Sequence, residues 1–145
     1  MYENMGLYRG KQIDNDEWIT GYLLSFEDGR ARICARHTDI FCYEKDRSII
    51  QTVANEVIPD TVGECTGLKD KNGKLIFDGD IVRCDDLFTA VVKWDSSHAR
   101  FNLAIIYKAE IDKCVNLTRG KADKLTICCN IHDNPELLKE GADNG

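Results

Sequence analysis

The sequence predicts a mainly β fold, a small barrel or sandwich with one short helix near the C-terminus. Short apolar runs alternate with turn signals about every 8–12 residues, a spacing typical of small all-β domains. Two of these signals, Asn72-Gly73 and Asp78-Gly79, lie within the stretch 61–84, around which the other runs are arranged. An Asn-Gly pair between apolar runs predicts a two-residue type I′ turn, in which both central residues need a positive φ.

The composition is that of an ordinary globular chain, which fits one domain or one domain with a small appendage. It has 145 residues, of which 43% are hydrophobic and 30% are charged, and it contains two prolines. A chain of this length buries enough surface to fold without a metal or a disulfide. The net charge of −6 argues against a general polyanion binder, because phosphate contacts need a basic field, but it leaves room for a local basic face.

The cysteines and the apolar segments indicate a reduced, cytoplasmic setting. The seven cysteines include no C-x-x-C pair, and we expect most of them to be small buried hydrophobes. The opening residues carry no apolar segment of the kind found in secretory signals. The longest uncharged apolar stretch, around Phe101–Tyr107, is far shorter than the roughly 20 residues of a membrane span, so we expect no membrane association.

The N-terminal part of the chain predicts paired strands. A hairpin joins Arg9–Ile13 to Trp18–Leu24, and a turn at Glu27–Gly29 leads into a strand over Arg30–Arg36. This strand alternates strictly, so one face should be buried and the other, basic face exposed. The predicted inward residues are Ala31, Ile33 and Ala35, and the predicted outward residues are Arg30, Arg32, Cys34 and Arg36. Between 37 and 56 the pattern indicates a short strand and a segment that fits a strand or a helical turn equally well.

The rest of the chain predicts further strands separated by turns. Segment 109–124 is expected to be a loop-rich excursion, because its charges are mixed and it contains a glycine. A short helix is expected after Asp133, with Asn134 as the N-cap and Pro135 at the first helical position, followed by a loose tail from Gly141. The predicted strands are 61–66, 80–83, 88–94, 101–107 and 125–131, and the predicted turns between them include Asp85-Asp86 and Asp95–Ser97.

Three blocks of the sequence resemble the YopX family of bacteriophage and prophage proteins. The first block is Arg9-Gly10-Lys11 followed by Trp18 and Gly21-Tyr22. The central block lies within 61–82 and includes the sequence TGLKD, the Asn-Gly turn and the sequence GDIV. The closing block is Asn130-Ile131 with the run 134–138. The blocks occur in the order found in the family, from about residue 8 to 138, so the resemblance covers nearly the whole chain.

The resemblance implies a small protein of lysogenic phages that contains an SH3-like β-barrel and works in the bacterial host cell. It implies no activity. We therefore predict an N-terminal β-subdomain (1–56), an SH3-like barrel (57–132), and a short helix with a loose tail (133–145). The sequence departs from the family pattern at four positions: Cys65 stands where an aromatic residue is usual, and Cys128, Cys129 and His132 replace an aliphatic residue, a glycine and an aromatic residue.

A basic strand face is the main surface feature that the sequence predicts. It consists of Arg30, Arg32 and Arg36. Three guanidinium groups on one strand could follow a phosphate backbone, and nearby aromatic rings could stack on bases. The aromatic candidates are Tyr8, Trp18 and Tyr22. The other interpretation is a solvated strand face whose charge is balanced by acidic neighbours, namely Glu27, Asp28 and Asp39.

Trp18 and Trp94 each lie within an apolar run and are expected to be core or barrel-rim aromatics. A rim aromatic of an SH3-like barrel would anchor a partner peptide, because aromatic grooves bind extended or proline-rich segments. These two tryptophans are therefore the candidate residues for a protein partner.

Two groups of residues could in principle hold a metal ion. The pairs Cys34-x-x-His37 and Cys129-x-x-His132, with Cys42 or Cys128 nearby in sequence, offer the ligands of a zinc site but lack the usual knuckle turn. An acidic cluster could bind a divalent cation, yet its members are explained more simply by turns and by capping of backbone amides. That cluster comprises Asp78, Asp80, Asp85 and Asp86. We expect no metal, no cofactor and no catalytic residue.

The sequence thus favours a non-enzymatic accessory protein that acts through protein–protein contact. The alternative is a nucleic-acid-binding module that uses the Arg30, Arg32 and Arg36 face, and an enzyme acting through the acidic cluster ranks last. The protein partner is unidentified, and open edges of small sheets are compatible with a homo-oligomer.

Overall fold

The structure is a computed structural model that describes residues 6–35 and 54–138. This part of the chain is mainly β, as predicted, and it divides between Cys65 and Thr66 into two compact units. The strands are β1 (Leu7–Lys11), β2 (Trp18–Ser25), β3 (Ala31–Ala35), β4 (Ala54–Val57), β5 (Gly63–Lys69), β6 (Leu75–Phe77), β7 (Asp80–Cys84), β8 (Phe88–Asp95), β9 (Arg100–Tyr107), β10 (Glu110–Asn116) and β11 (Thr126–Asn130). A short helix, α1, covers Arg119–Ala122, and 3₁₀ turns cover Pro59–Thr61 and Pro135–Leu137.

Some predictions lie outside the described residues. They concern Arg36, His37, Asp39, Cys42, the short strand expected at 40–43, the ambiguous segment 48–53 and the tail 141–145. The SH3-like topology and the domain boundary at residue 57 also stay predictions.

The first unit contains antiparallel strands in the order β4-β3-β2-β1-β5. The hairpin of β1 and β2 is confirmed, with Leu7 opposite Tyr22 and Lys11 opposite Trp18. Its turn is closed by the N–H of Gln12, which donates to the carbonyl oxygen of Glu17 at 2.9 Å. The turn predicted at 27–29 and the strand that follows it are confirmed as well.

Alternating residues of β3 build the core of the first unit. Ala31, Ile33 and Val57 are buried there. The opposite face of β3 differs from the prediction, because Cys34, which was expected to face outward with the arginines, is only 3% exposed. Beside it, a Cβ at Gly21 would overlap the carbonyl oxygen of Cys34, so the close approach of β2 and β3 requires glycine at this position.

The second unit contains a five-stranded antiparallel sheet in the order β10-β9-β8-β7-β11, with β10 and β11 at its edges. The strands predicted at 80–83, 88–94, 101–107 and 125–131 are confirmed as β7, β8, β9 and β11. Both faces of the central strands are buried, which explains why these runs are almost continuously apolar. One face contributes Val82, Ala90, Val92 and Leu103 to the larger core, and the other contributes Ile81, Val91 and Ala104.

The hairpin expected at Asn72-Gly73 is present, but the predicted turn type is wrong. The chain reverses between β5, which continues into the second unit, and β6. Gly73 has a φ of 83°, whereas Asn72 is not among the residues with positive φ. The N–H of Asp70 donates to the carbonyl oxygen of Lys74 at 2.8 Å, and the N–H of Gly73 donates to that of Asp70 at 2.9 Å. This is a three-residue loop that ends in a left-handed glycine, and it needs only one positive φ.

The Asp78-Gly79 turn does not fold one strand back onto its neighbour, as the sequence suggested. It connects β6, which lies next to β5, to β7, which lies between β8 and β11 in the other sheet. Gly79 has a φ of 94° and its N–H donates to the carbonyl oxygen of Val92 at 2.8 Å. Asp80 then accepts the N–H of Phe77 at 2.7 Å, which confirms the predicted capping role of this carboxylate.

Two further predictions need correction in the C-terminal half. Segment 109–124 is not mainly loop, because Glu110–Asn116 pairs with β9 and Arg119–Ala122 forms α1. The predicted C-terminal helix is a single 3₁₀ turn, with Pro135 at its start as expected. Asn134 occupies the N-cap position but makes no capping hydrogen bond through its side chain.

Candidate functional site

The two described arginines of the predicted basic face are engaged within the chain. The Nε of Arg30 lies 2.8 Å from the Oδ2 of Asp28, and both side chains are exposed. Arg32 is half-buried, donates from Nη1 to the carbonyl oxygen of Ala54 at 2.7 Å and lies 3.9 Å from a carboxylate oxygen of Glu56. The acidic neighbours of these arginines therefore balance much of their charge.

The strand register shows which side chains share a face with Arg32. Residues directly opposite one another in neighbouring strands point to the same side of the sheet. In β1 and β2, Lys11 is opposite Trp18 and Leu7 is opposite Tyr22. In β2 and β3, Tyr22 is opposite Cys34 and Leu24 is opposite Arg32. Because alternate residues of a strand share a face, the β1 cations Arg9 and Lys11 and the β2 aromatic residues Trp18 and Tyr22 lie on the same side as Arg32. We call this surface the Trp18 face; it comprises Arg9, Lys11, Trp18, Tyr22 and Arg32.

Trp18 is covered by the two cations of β1. The guanidinium carbon of Arg9 lies 4.8 Å from the centroid of a Trp18 ring, and the Nζ of Lys11 lies 5.9 Å from it. Both distances allow cation–π attraction. The sequence analysis placed Arg9 and Lys11 in the first YopX block but gave them no site role; the signal was their i, i+2 spacing on the strand that pairs with the Trp18 strand.

Tyr8 does not belong to this face, although the sequence grouped it with Trp18 and Tyr22. It packs against the core of the first unit. Burial raises the pKa of the Tyr8 hydroxyl, and the nearby Glu64 carboxylate raises it further.

Trp94 lies near the end of β8 and is 49% exposed. Its register partner is Phe101, whose ring meets it edge-on with centroids 5.0 Å apart and planes at 68°. The N–H of Trp94 donates to the Oδ1 of Asp78 at 2.9 Å. The backbone and one side of the ring are thus held by the fold, and about half of the residue remains open to solvent.

The loop after Trp94 is organised by a second carboxylate. Asp95 accepts the N–H of Ser97 at 3.0 Å, pairs with the His98 ring at 2.8 Å and accepts the side-chain amide of Asn102 at 2.9 Å. The hydrogen bond from His98, together with that from Asn102, holds the pKa of Asp95 below its ordinary value. Asp78 therefore places a carboxylate at the backbone of Trp94, while Asp95, the next residue of the strand, points to the opposite face of the sheet.

Three residues of the predicted acidic cluster have separate structural roles. Asp80 is 1% exposed and caps the amide of Phe77, while Asp78 accepts the amide of Trp94. Asp85 occupies the turn after β7 with a φ of 47° and lies 3.8 Å from the Nζ of Lys71. In the described ranges, no three His, Cys, Asp or Glu side chains are grouped so that they could hold a metal ion. Of the predicted zinc ligands, Cys34 is buried and Cys129 half-buried.

The comparison with protein families decides the relationship of the chain. A family model described as YopX protein matches residues 7–139. The chain belongs to the YopX family. No curated protein matches it.

The central block that carried the YopX resemblance corresponds to one continuous piece of the structure. It runs from β5 through the 71–73 loop, β6 and the Asp78-Gly79 turn into β7. Two of its carboxylates, Asp70 and Asp80, are buried and accept backbone amides. In this YopX protein the block therefore builds the fold, and Trp94 is positioned by it through Asp78. None of the helices described in the structure is long and apolar enough to cross a membrane.

Proposed function

We propose that this YopX-family protein is a non-enzymatic accessory protein of a phage or prophage, which binds another protein through Trp94 in the bacterial cytoplasm. The single observation that carries the proposal is the setting of Trp94, which is half exposed while Phe101 and Asp78 hold it in place. A large aromatic side chain that the fold has already ordered loses little entropy when a partner covers it. This combination is typical of binding hot spots.

The chemistry around Trp94 favours an extended, basic segment as the partner. Asp78 lies beside the tryptophan, and the chain carries a net charge of −6. An indole ring attracts cations through its π face, and the carboxylate adds to this attraction. The SH3-like barrel that we propose for 57–132 fits the same kind of ligand, since aromatic grooves on small barrels bind extended or proline-rich segments.

The proposed absence of enzymatic activity rests on what the carboxylates do. Asp80 and Asp78 accept backbone amides, and Asp95 is held by a histidine, an amide and a backbone N–H. Carboxylates used in this way stabilise turns and strand ends. Asp78 and Asp80, two of the four residues in the predicted acidic cluster, thus already have structural partners.

The proposal is tested by comparing partner capture by wild type, Trp94→Ala and Tyr107→Ala in lysate of a lysogen. Tyr107 is a matched control, because it is an exposed aromatic residue at the other end of β9. A protein captured by wild type is identified, and its affinity for wild type and for both variants is then measured by isothermal titration calorimetry. We expect Trp94→Ala to weaken binding by about 30-fold or more, as for a hot-spot residue worth about 2 kcal/mol, and Tyr107→Ala to bind nearly as wild type.

Two results would contradict the proposal. One is a partner bound equally well by wild type and Trp94→Ala. The other is the absence of any specific partner together with measurable turnover of a substrate by the purified protein.

A second candidate function is binding of single-stranded nucleic acid at the Trp18 face. The observation that favours it is the pairing of an aromatic ring with Arg9 and Lys11, with Tyr22 exposed on the same face. Cations that track phosphates beside rings that stack on bases are the usual elements of such sites. This candidate replaces the original Arg30, Arg32 and Arg36 footprint with one centred on β1 and β2.

A further inference from the structure

Two adjacent cysteines lie in the edge strand β11 at an irregular point of its pairing with β7. Ile127 is opposite Val82 and Cys129 is opposite Ile81, so Cys128 is the extra residue of a β-bulge. Cys128 is exposed and Cys129 is half-buried. In a regular strand their side chains would point to opposite faces, but a bulge changes the direction of one of them.

The bulge is the geometric feature that brings the two thiols together. Cys129 packs against the cluster of Ile81, Val91 and Ala104. Arg83 lies two residues after Ile81 in β7 and therefore on that same face. The Cys128 Sγ donates to the carbonyl oxygen of Thr126, the residue opposite Arg83, at 3.7 Å. Because a bulge sets two residues of one strand opposite a single residue of its partner, Cys128 and Cys129 both lie opposite Ile81, and we infer that their thiols share that side of the sheet.

We propose that Cys128 and Cys129 form a dithiol site that binds one soft, thiophilic centre of the trivalent arsenical class through both sulfur atoms. Soft metal and metalloid centres prefer sulfur ligands, and two neighbouring sulfurs on one edge strand present a ready chelate. The site is independent of Trp94 and of the proposed protein partner.

A direct disulfide between these cysteines is disfavoured. Adjacent Cα atoms lie about 3.8 Å apart across a trans peptide, whereas disulfides usually span about 4.4–6.8 Å between Cα atoms. Insertion of one larger atom between the sulfurs relieves this constraint. Partial burial raises the pKa of both thiols, which lowers the fraction of thiolate that could attack to form a disulfide.

The proposed reaction involves no change in oxidation state. The arsenic–oxygen bond of phenylarsine oxide breaks, two arsenic–sulfur bonds form, and the two thiol protons leave with the oxygen as one molecule of water. No oxidant or reductant is required.

The test uses phenylarsine oxide as the probe, added in equimolar amount to the reduced full chain with an excess of a monothiol, followed by desalting and intact-mass measurement. We expect one phenylarsenic group per chain in wild type, released by an added dithiol. Loss of either sulfur should weaken retention by about 10²-fold or more, because the second contact is then no longer intramolecular. Cys128→Ser and Cys129→Ser should therefore lose the group, while Cys114→Ser should keep it.

Cys114 is the matched control, because its thiol is exposed on β10 at the other edge of the same sheet. Retention of the phenylarsenic group by Cys128→Ser, or its loss from Cys114→Ser or Cys42→Ser, would overturn the proposal. If Cys129→Ser fails to fold, as judged by its thermal melt, Cys128→Ser decides alone, since its side chain is exposed and the substitution leaves the core unchanged.

Discussion

Asp70 is a buried carboxylate whose role is to organise backbone. It is 5% exposed, and its Oδ1 accepts the N–H groups of Asn72 and Lys74, both at 2.9 Å. Its Oδ2 accepts the N–H of Ile127 at 3.1 Å. Burial opposes ionisation of this carboxyl group, but the hydrogen bonds from Lys74, Ile127 and Asn72 outweigh it and keep the pKa of Asp70 below its ordinary value.

Replacing Asp70 with Asn should destabilise the protein by about 1–3 kcal/mol. An amide keeps one acceptor oxygen for the loop, but its NH₂ group would then face the N–H of Ile127 without an acceptor. Urea denaturation at pH 7 measures the change. Asp85→Asn is the control. Asp85 forms an exposed ion pair with Lys71 at 3.8 Å, and such pairs contribute little, so this substitution should change the free energy of unfolding by no more than about 0.5 kcal/mol. Equal costs for the two variants would contradict the role given to Asp70.

The same substitution should change the pH dependence of stability. Because the pKa of Asp70 is lower in the folded chain than in the unfolded chain, its contribution is fully present above the unfolded value of about 3.9 and is lost as the pH falls through the lower folded value. The free energy of unfolding of wild type should therefore fall below about pH 4 more steeply than that of Asp70→Asn. Parallel curves would show that the carboxylate carries no such linkage.

Part of this residue-scale picture was readable from the sequence. Asp, Asn and Gly close together predict a turn, and an Asp side chain in that position typically accepts amides two residues further on. The hydrogen bond to Ile127 was not readable, because it joins residues separated by 57 positions. The basic face was likewise readable only in part. The alternation of Arg30 and Arg32 along the strand predicted it, but the contacts of Arg32 with Ala54 and Glu56 depend on the pairing of β3 with β4.

Two hairpin loops of the chain share one hydrogen-bonding pattern. In the first, the N–H of Phe26 donates to the carbonyl oxygen of Arg30 and the N–H of Gly29 donates to that of Phe26, both at 3.0 Å. The second loop repeats these bonds between Asp70 and Lys74 and between Gly73 and Asp70. Gly29 and Gly73 have φ values of 92° and 83°. Each loop thus contains one left-handed residue, so a local sequence motif predicts the reversal but does not by itself specify the turn type.

Gly73→Ala should destabilise the protein by about 1–2 kcal/mol, whereas Gly120→Ala should stabilise it by up to about 1 kcal/mol. No atom lies within 4 Å of a Cβ at either position, so packing does not contribute and the sign depends on the backbone. Gly73 has a positive φ, which alanine adopts at a cost, while Gly120 lies in α1, where alanine is preferred. Thermal or urea unfolding measures both changes. A neutral or stabilising Gly73→Ala would contradict the three-residue loop.

The strands differ in how well their sequences predicted them. β8 and β9 pair on both sides and bury both faces, so their residues are apolar and β-branched enough to be recognised. β10 was expected to be loop, because its charges are mixed. Five of its seven residues are exposed, three of them charged, and its register shifts at Asp112. A charged, bulged edge strand gains its order from pairing with its neighbour, here β9, and its own residues carry little of the signal.

At the scale of the whole molecule, the sequence predicted a mainly β chain and the family, both of which are confirmed, but not the arrangement of strands. The central stretch was expected to close a single sheet, whereas the Asp78-Gly79 turn carries the chain from one sheet to another. Pairings such as β11 with β7 join residues far apart in sequence, and nothing in a local pattern specifies them. Of the candidate site residues, Trp94 was named from the sequence and lies half-exposed near the end of β8, while the cations over Trp18 emerged only from the register.

The overall charge and the Trp18 face make opposite predictions for nucleic-acid binding. A net charge of −6 repels a polyanion over the whole molecule, so binding at low salt would have to come from local contacts. Two phosphate contacts, from Arg9 and Lys11, predict that log K falls with log salt with a slope of about −1.4 for single strands. Mobility shifts of a single-stranded oligonucleotide at several salt concentrations measure this slope. Trp18→Ala should abolish the shift. Arg30→Ala should leave it unchanged, because the Arg30 guanidinium already pairs with Asp28. Absence of any shift by wild type at low salt would eliminate this function.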